Sequence, residues 1–267
     1  GQTMKILCIG DSHTQGTAGC NWVSLLESKL SDELNSSVQT INCGENGKQA
    51  INIQRRIAAD ITKHDPSTVI LLIGTNNCIG QLCDEAGNKV LIGHYNTINQ
   101  LPSDYSFSPD TFAKEYRGCL EEAKAVAKPG MRILCVTLPP IGEDLMSPPN
   151  ITRNIYNETI EHIVKDYISI AEIVPFASVI DANLLERQNA PGSKLNSHSA
   201  YDPTWVFYVG YLMLRAMFWR FFGYSYDSIA GWDGNCFLVD TIHLTDSACA
   251  ILLSELMNNL KFTKKTQ

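Results

Sequence analysis

Charge is what this chain has least of. Only 18% of its 267 positions are charged, and 21 basic residues face 28 acidic ones for a formal net charge of −7. Gripping nucleic acid needs a clustered positive field that releases counterions, so that class of function is excluded. An acidic substrate is not favoured either. No Cys-x-x-Cys pair occurs, and the nearest approach, Cys78 and Cys83, has no histidines at zinc spacing beside it. The nine cysteines are an odd number and far too sparse for a secreted disulfide scaffold. Cys8 and Cys135 fall inside apolar runs and read as small buried hydrophobes. A reducing, cytoplasmic compartment is therefore the expectation, with a trimmed secreted form left open. Only Gly1, Gln2 and Thr3 precede the first structural element, which leaves no room for an uncleaved signal peptide. The sequons at Asn35, Asn150 and Asn157 do not decide the compartment. No uncharged apolar run reaches the roughly 18 residues of a membrane-spanning helix, and there is neither an internal repeat nor a low-complexity tract.

What is present alternates. Lys5–Ile9 is an apolar run that ends at Gly10-Asp11-Ser12, before amphipathic spacing through Trp22, Leu26 and Leu30. Val38–Asn42 closes on Cys43-Gly44-Glu45-Asn46-Gly47, before helical spacing through Ile53, Ile57 and Ile61. Val69–Ile73 stops at Gly74-Thr75-Asn76-Asn77, and its uncharged, β-branched character suits a strand buried on both faces. Residues 78–110 are polar and without a clean period, which predicts a long loop. A helix is expected over 109–127, a fourth strand over 132–136, a helix over 154–167, a weaker fifth strand at 173–175 and an amphipathic closing helix over 246–260. Strand–helix alternation of this kind predicts a doubly wound α/β fold with a parallel sheet of about five strands. The chain is expected to be one domain, enlarged by insertions near 78–110 and 186–235. The second insertion holds an aromatic-rich stretch, 204–222, interrupted by Arg215 and Arg220. It reads first as a buried helix, with a lid for an acyl chain or a peripheral membrane contact as alternatives.

Ligands of open parallel sheets bind at the carboxyl ends of the strands, so the turns after the first three strands are the places to look. Acyl transfer needs a hydroxyl nucleophile, a base within hydrogen-bond reach, a carboxylate that fixes the base, and donors aimed at the developing oxyanion. Ser12 at a helix start offers the hydroxyl beside free backbone N–H groups. Gly44 lets a backbone N–H approach closely, Asn76 supplies a neutral amide donor, and Asp240 lies three residues before His243, within one local turn.

These residues resemble the blocks of the SGNH or GDSL-type hydrolases. Gly10-Asp11-Ser12 is similar to the first block, Gly44 to the second, Gly74-x-Asn76 to the third and Asp240-x-x-His243 to the last, in the same order. The resemblance implies the SGNH form of a flavodoxin-like three-layer α/β/α sandwich. It implies Ser12 as nucleophile, His243 as base and Asp240 as its partner, with an oxyanion hole from the Ser12 N–H, the Gly44 N–H and the Asn76 side chain. The implied activity is an esterase or lipase working on a small-molecule or lipid ester without metal or organic cofactor. Carbohydrate O-acetyl ester hydrolysis, or a silent binding module in the same crevice, are the alternatives. His13 departs from the pattern, standing where the family has Leu.

Each piece also has a plainer reading. Asp11 or Ser12 alone is a helix cap. Gly44 and Gly47 can each serve a tight turn, and Asn76 or Asn77 can bond its own backbone. His13, His64, His94, His162 and His198 read as ordinary surface or core residues, with substrate contact left open for His198. Glu121-Glu122 and Glu143-Asp144 read as a solvated helix face and a loop. Trp22 reads as core.

Overall fold

A computed structural model describes residues 3–34, 37–102, 104–189 and 203–261, with backbone alone for 203–207 and 261. Asn35, His198 and the side chains of Trp205 and Phe207 lie outside the described residues.

Five parallel strands run in the order β2-β1-β3-β4-β5: β1 (Met4–Gly10), β2 (Val38–Gly44), β3 (Thr68–Leu72), β4 (Arg132–Val136) and β5 (Ala171–Val174). This is the expected doubly wound sheet. Every residue of β3 is buried, as are Ile6 to Ile9 of β1. Helices on both faces make that possible. On one face α3 (Ala50–His64), α6 (Pro109–Val126) and α7 (Pro148–Val164) contact one another in series. On the other, α11 (Asp246–Lys261) packs against both α2 (Trp22–Leu34) and α8 (Phe176–Gln188). The result is a three-layer α/β/α sandwich, as the resemblance implies. In α3, Ile53, Ile57 and Ile61 repeat every fourth residue and are buried as one stripe. Each such side chain contributes about 1.5–3 kcal/mol by leaving water.

The register positions the site. Gly10 is paired with Gly44 on β2 and with Leu72 on β3, so the three turns leave the sheet side by side. The strand order reverses between β1 and β3, which makes this the switch point where a crevice opens. Gly10 is required there, because a Cβ would lie 2.1 Å from the Leu72 carbonyl oxygen.

The 78–110 region departs from the expected loop. It folds as α4 (Thr75–Glu85) and α5 (Lys89–Asn99), with Asn88 capping α5 by accepting from the Leu91 N–H. Cys78, Ile79, Leu82 and Cys83 of α4 are buried at helical spacing. Gly80 and the neighbouring asparagines disguise that period; Gly80 itself is packed against the Phe107 ring.

The aromatic stretch forms α9 (Pro203–Phe221), and its outer surface departs from a fully buried helix. Leu212 and Ala216 are buried, but Tyr211, Leu214, Phe218 and Phe221 form an exposed stripe, with Phe221 85% exposed. Two ion pairs tether the helix and its C-terminal end, Arg215 to Asp233 and Arg220 to Asp246. Among the described residues no helix is long and apolar enough to cross a membrane.

Candidate active site

The turn after β1 begins with Asp11, whose carboxylate accepts the His13 N–H at 3.0 Å and caps α1 (Ser12–Gln15). The cap holds Ser12 at the first helical position, where its backbone N–H has no intrahelical acceptor. Ser12 is half-buried at the mouth of the crevice. Its Oγ lies 2.9 Å from His243 Nε2, across 231 positions of chain.

His243 reaches that place on a hairpin. Leu238 bridges Leu244 in antiparallel fashion, and the Val239 N–H donates to the His243 carbonyl at 2.8 Å. Asp240 inside the hairpin is fully buried. One carboxylate oxygen accepts from the backbone N–H groups of Ile242 (3.1 Å) and His243 (2.7 Å); the other lies 2.6 Å from His243 Nδ1. The three-residue spacing therefore does what was expected of it, with one carboxylate fixing both the turn and the imidazole. Thr241 sits between them at φ +78°, a left-handed conformation that a β-branched residue adopts only under constraint.

Burial alone would raise Asp240, yet the His243 charge and the hydrogen bonds around the carboxylate hold it below the ordinary range. Burial alone would lower His243; the Asp240 charge and hydrogen bond, with Asp11 adding, carry it above. The Asp11 carboxyl, fully buried, is pushed up to about 7 by desolvation, against the pull of the His13 N–H and the His243 charge.

Asn76 stands in the first turn of α4, 8% exposed. The Tyr95 hydroxyl donates to its Oδ1 at 2.9 Å and so fixes which way the amide faces. Nδ2 then points at the Lys48 carbonyl (3.1 Å) and, more loosely, at the Asp11 carboxylate (3.4 Å). Asn77, the alternative, turns the other way: its Oδ1 accepts the Ala50 N–H and its Nδ2 donates to the buried Glu115. Of the two asparagines, it is the Asn76 side chain that reaches the Asp11 turn.

Gly44 is placed differently from its expected role. Its N–H donates to Asn42 Oδ1 at 2.9 Å, and a Cβ there would lie 2.2 Å from the Gln15 nitrogen. That glycine lets β2 press against α1. In the same turn the Gly47 N–H meets no acceptor among the described residues, and the left-handed φ of +71° needs a glycine. Gly47 precedes Lys48, whose carbonyl takes the Asn76 amide.

His13 is 4% exposed, its ring 5.6 Å from that of His243, and neither ring nitrogen has a partner among the described residues. Burial pushes it down to about 3, so it stays neutral and packs as an apolar side chain would. Trp22, fully buried as expected, donates its indole N–H to the His13 carbonyl at 2.8 Å. Glu143 lies in a loop as expected, yet it is 4% exposed and accepts backbone N–H groups at the foot of the hairpin that carries His243. No cluster of three or more metal-ligating side chains occurs among the described residues.

A hydroxyl, an imidazole and a buried carboxylate in one hydrogen-bonded line, flanked by amide donors, can move a proton from oxygen to nitrogen and back while an oxyanion forms and collapses. Three solved structures share the fold over 96% of this chain. They are an α/β hydrolase enzyme from the metagenome of Lake Arreo (14% identity, 94% of its own chain, TM-score 0.62), an acetylxylan esterase from Geobacillus stearothermophilus (15%, 93%, 0.61) and another acetyl xylan esterase (15%, 99%, 0.59). A comparison with curated proteins finds no match. The model of the GDSL-like lipase/acylhydrolase family matches residues 8–198, most of the chain and three of its four blocks, and on that match the chain belongs to this family of hydrolases.

Proposed function

We propose that the protein hydrolyses carboxylic esters through an acyl-enzyme on Ser12. The observation that carries this reading is the continuous line from Ser12 Oγ through His243 to the buried Asp240. The hydroxyl oxygen attacks the ester carbonyl carbon while its proton passes to His243 Nε2. Asp240 stabilises the imidazolium that results. When the tetrahedral intermediate collapses, that proton leaves with the alcohol. Water then repeats the sequence on the acyl-enzyme, giving its proton to His243 and releasing the acid and Ser12. The oxyanion is met by the Ser12 N–H and by Asn76 Nδ2, whose 3.4 Å contact with Asp11 is the looser of its two. The third donor is the Gly47 N–H in place of Gly44, since the Gly44 N–H is turned to Asn42.

Ser12→Ala should lower turnover of p-nitrophenyl esters by on the order of 10⁴. It should also abolish labelling by a fluorophosphonate. Ordinary activity in that variant would overturn the reading, and a folded wild type that neither labels nor turns over would leave a silent binding module.

The acyl group separates two versions of this activity. Hydrolysis of longer acyl esters is the first, and the exposed aromatic stripe of α9 suits apolar substrates presented at an interface. Removal of acetyl groups from a carbohydrate is the second, supported by the shared fold of the two acetylxylan esterases. A series of p-nitrophenyl esters from acetate to decanoate decides between them. A steep preference for acetate removes the first, and a rise with chain length removes the second.

A further inference from the structure

We propose that Glu143 is a positioning residue for the Ser12–His243–Asp240 line, a buried carboxylate that clamps the hairpin presenting the base. The inference rests on the acyl-enzyme reading above. Glu143 Oε1 accepts the backbone N–H groups of Cys236 (2.8 Å), Phe237 (2.5 Å) and Leu238 (2.9 Å), and Oε2 also accepts that of Cys236 (2.8 Å). Leu238 is where the hairpin closes on Leu244, so the carboxylate grips its foot. The next residue back, Gly142, donates its N–H to the Thr241 carbonyl at 2.8 Å and grips the tip. One two-residue segment therefore holds both ends of the turn that contains Asp240 and His243.

Two further observations show that the hold is constructed. The loop carrying Glu143 is itself caged: Asn150 Nδ2 donates to the carbonyls of Ile141, Gly142 and Asp144, and its Oδ1 accepts the Ile141 N–H. The Glu143 carbonyl accepts from Gln188 of α8, which ties the same residue to the sheet's far layer. The hairpin needs such a hold, because Thr241 is in a left-handed conformation. Strained residues persist only where their surroundings over-determine them. Released at its foot, the turn can relax at Thr241. The imidazole then shifts relative to the Ser12 Oγ that it now meets at 2.9 Å, while the Cys20 N–H still holds the Leu244 carbonyl beside α1.

The carboxylate is suited to the task because it is acceptor-only. Glu143→Gln keeps the shape but sets an NH₂ against the Cys236 N–H and removes the charge that strengthens the other bonds. It should lower kcat at least about 10-fold, toward the 10² that a displacement of about 1 Å costs, with KM for p-nitrophenyl acetate little changed. Fluorophosphonate labelling of Ser12 should slow in parallel, and the low-field proton resonance of the Asp240–His243 hydrogen bond should shift or broaden. Ile61→Ala, in the buried stripe near the far end of α3, is the control for plain loss of stability. At an equal or larger fall in Tm it should keep kcat within about 2-fold.

Wild-type labelling and turnover kinetics in a Glu143→Gln variant that remains folded would overturn the clamp. Should that variant not fold, amide exchange in the wild type decides. The amides of Cys236, Phe237 and Leu238 must be protected like those of the central strands, and rapid exchange there refutes the proposal. An unlabelled wild type would instead refute the acyl-enzyme reading, while the exchange measurement still tests the clamp.

Discussion

His243 and His13 lie ring against ring and respond to protons in opposite ways. A general base must be neutral, and the Asp240 charge and hydrogen bond more than offset the effect of burial on His243. Turnover should therefore rise with pH along an acid limb whose midpoint lies above the ordinary histidine value of 6.5, seen in a kcat/KM profile. A midpoint at or below that value would contradict the geometry. In stability the raised value is favourable below the unfolded-state value and is lost as pH climbs through the folded one. For His13 the signs reverse. Burial holds it at about 3, so between 6.5 and 3 the unfolded chain takes up a proton that the folded one refuses, and stability drains away as pH falls through that window. At about 1.4 kcal/mol per pH unit, roughly 2 kcal/mol is gone by pH 5. His13→Leu should therefore stabilise the protein by about 1–3 kcal/mol at pH 7, by removing two buried nitrogens without partners. Urea unfolding should show a larger advantage at pH 5; an equal or smaller one there would mean that the ring is protonated or solvated in the folded state.

Among the elements, α9 is the one whose two sides differ most in what they contribute. Leu212→Ala on the buried side should cost about 2–5 kcal/mol, because it leaves a cavity against the core. Phe221→Ser on the outer stripe should stay within about 0.5 kcal/mol, since that ring is already in water. Denaturant midpoints of the two variants check the pair, and comparable losses would mean that the stripe is covered in solution. Strands β1 to β4 were legible because short runs carrying at most one charge and closed by glycine, or by Pro139-Pro140 after β4, have few other folds available. Helices α4 and α5 were not, because Gly80, Asn88 and Asn99 look like loop formers until their packing and capping partners are known. The same limit applied within the site. Ser12, Asp240 and His243 were readable from local spacing and block order, but the choice between Gly44 and Gly47 depends on where the Asn42 side chain turns. The burial of Glu143 was not legible for a similar reason. Its N–H donors come from residues more than 90 positions away, and no local pattern announces them.

For the molecule as a whole, the strand order brings the turns of β1, β2 and β3 to one edge of the crevice, and the final loop supplies the other. The acidic net balance of the chain suits a neutral ester better than an acidic one. The Ser12–His243 bond spans 231 positions, and this has a consequence in time. A growing chain that has emerged as far as β5 already holds the sheet, the hydroxyl and the Asn76 amide, yet it has no base. On the proposed mechanism, ester cleavage can start only once the hairpin carrying Asp240 and His243 has left the ribosome and docked beside α1. On that mechanism, a nascent chain ending short of this hairpin carries the hydroxyl without its base and is silent.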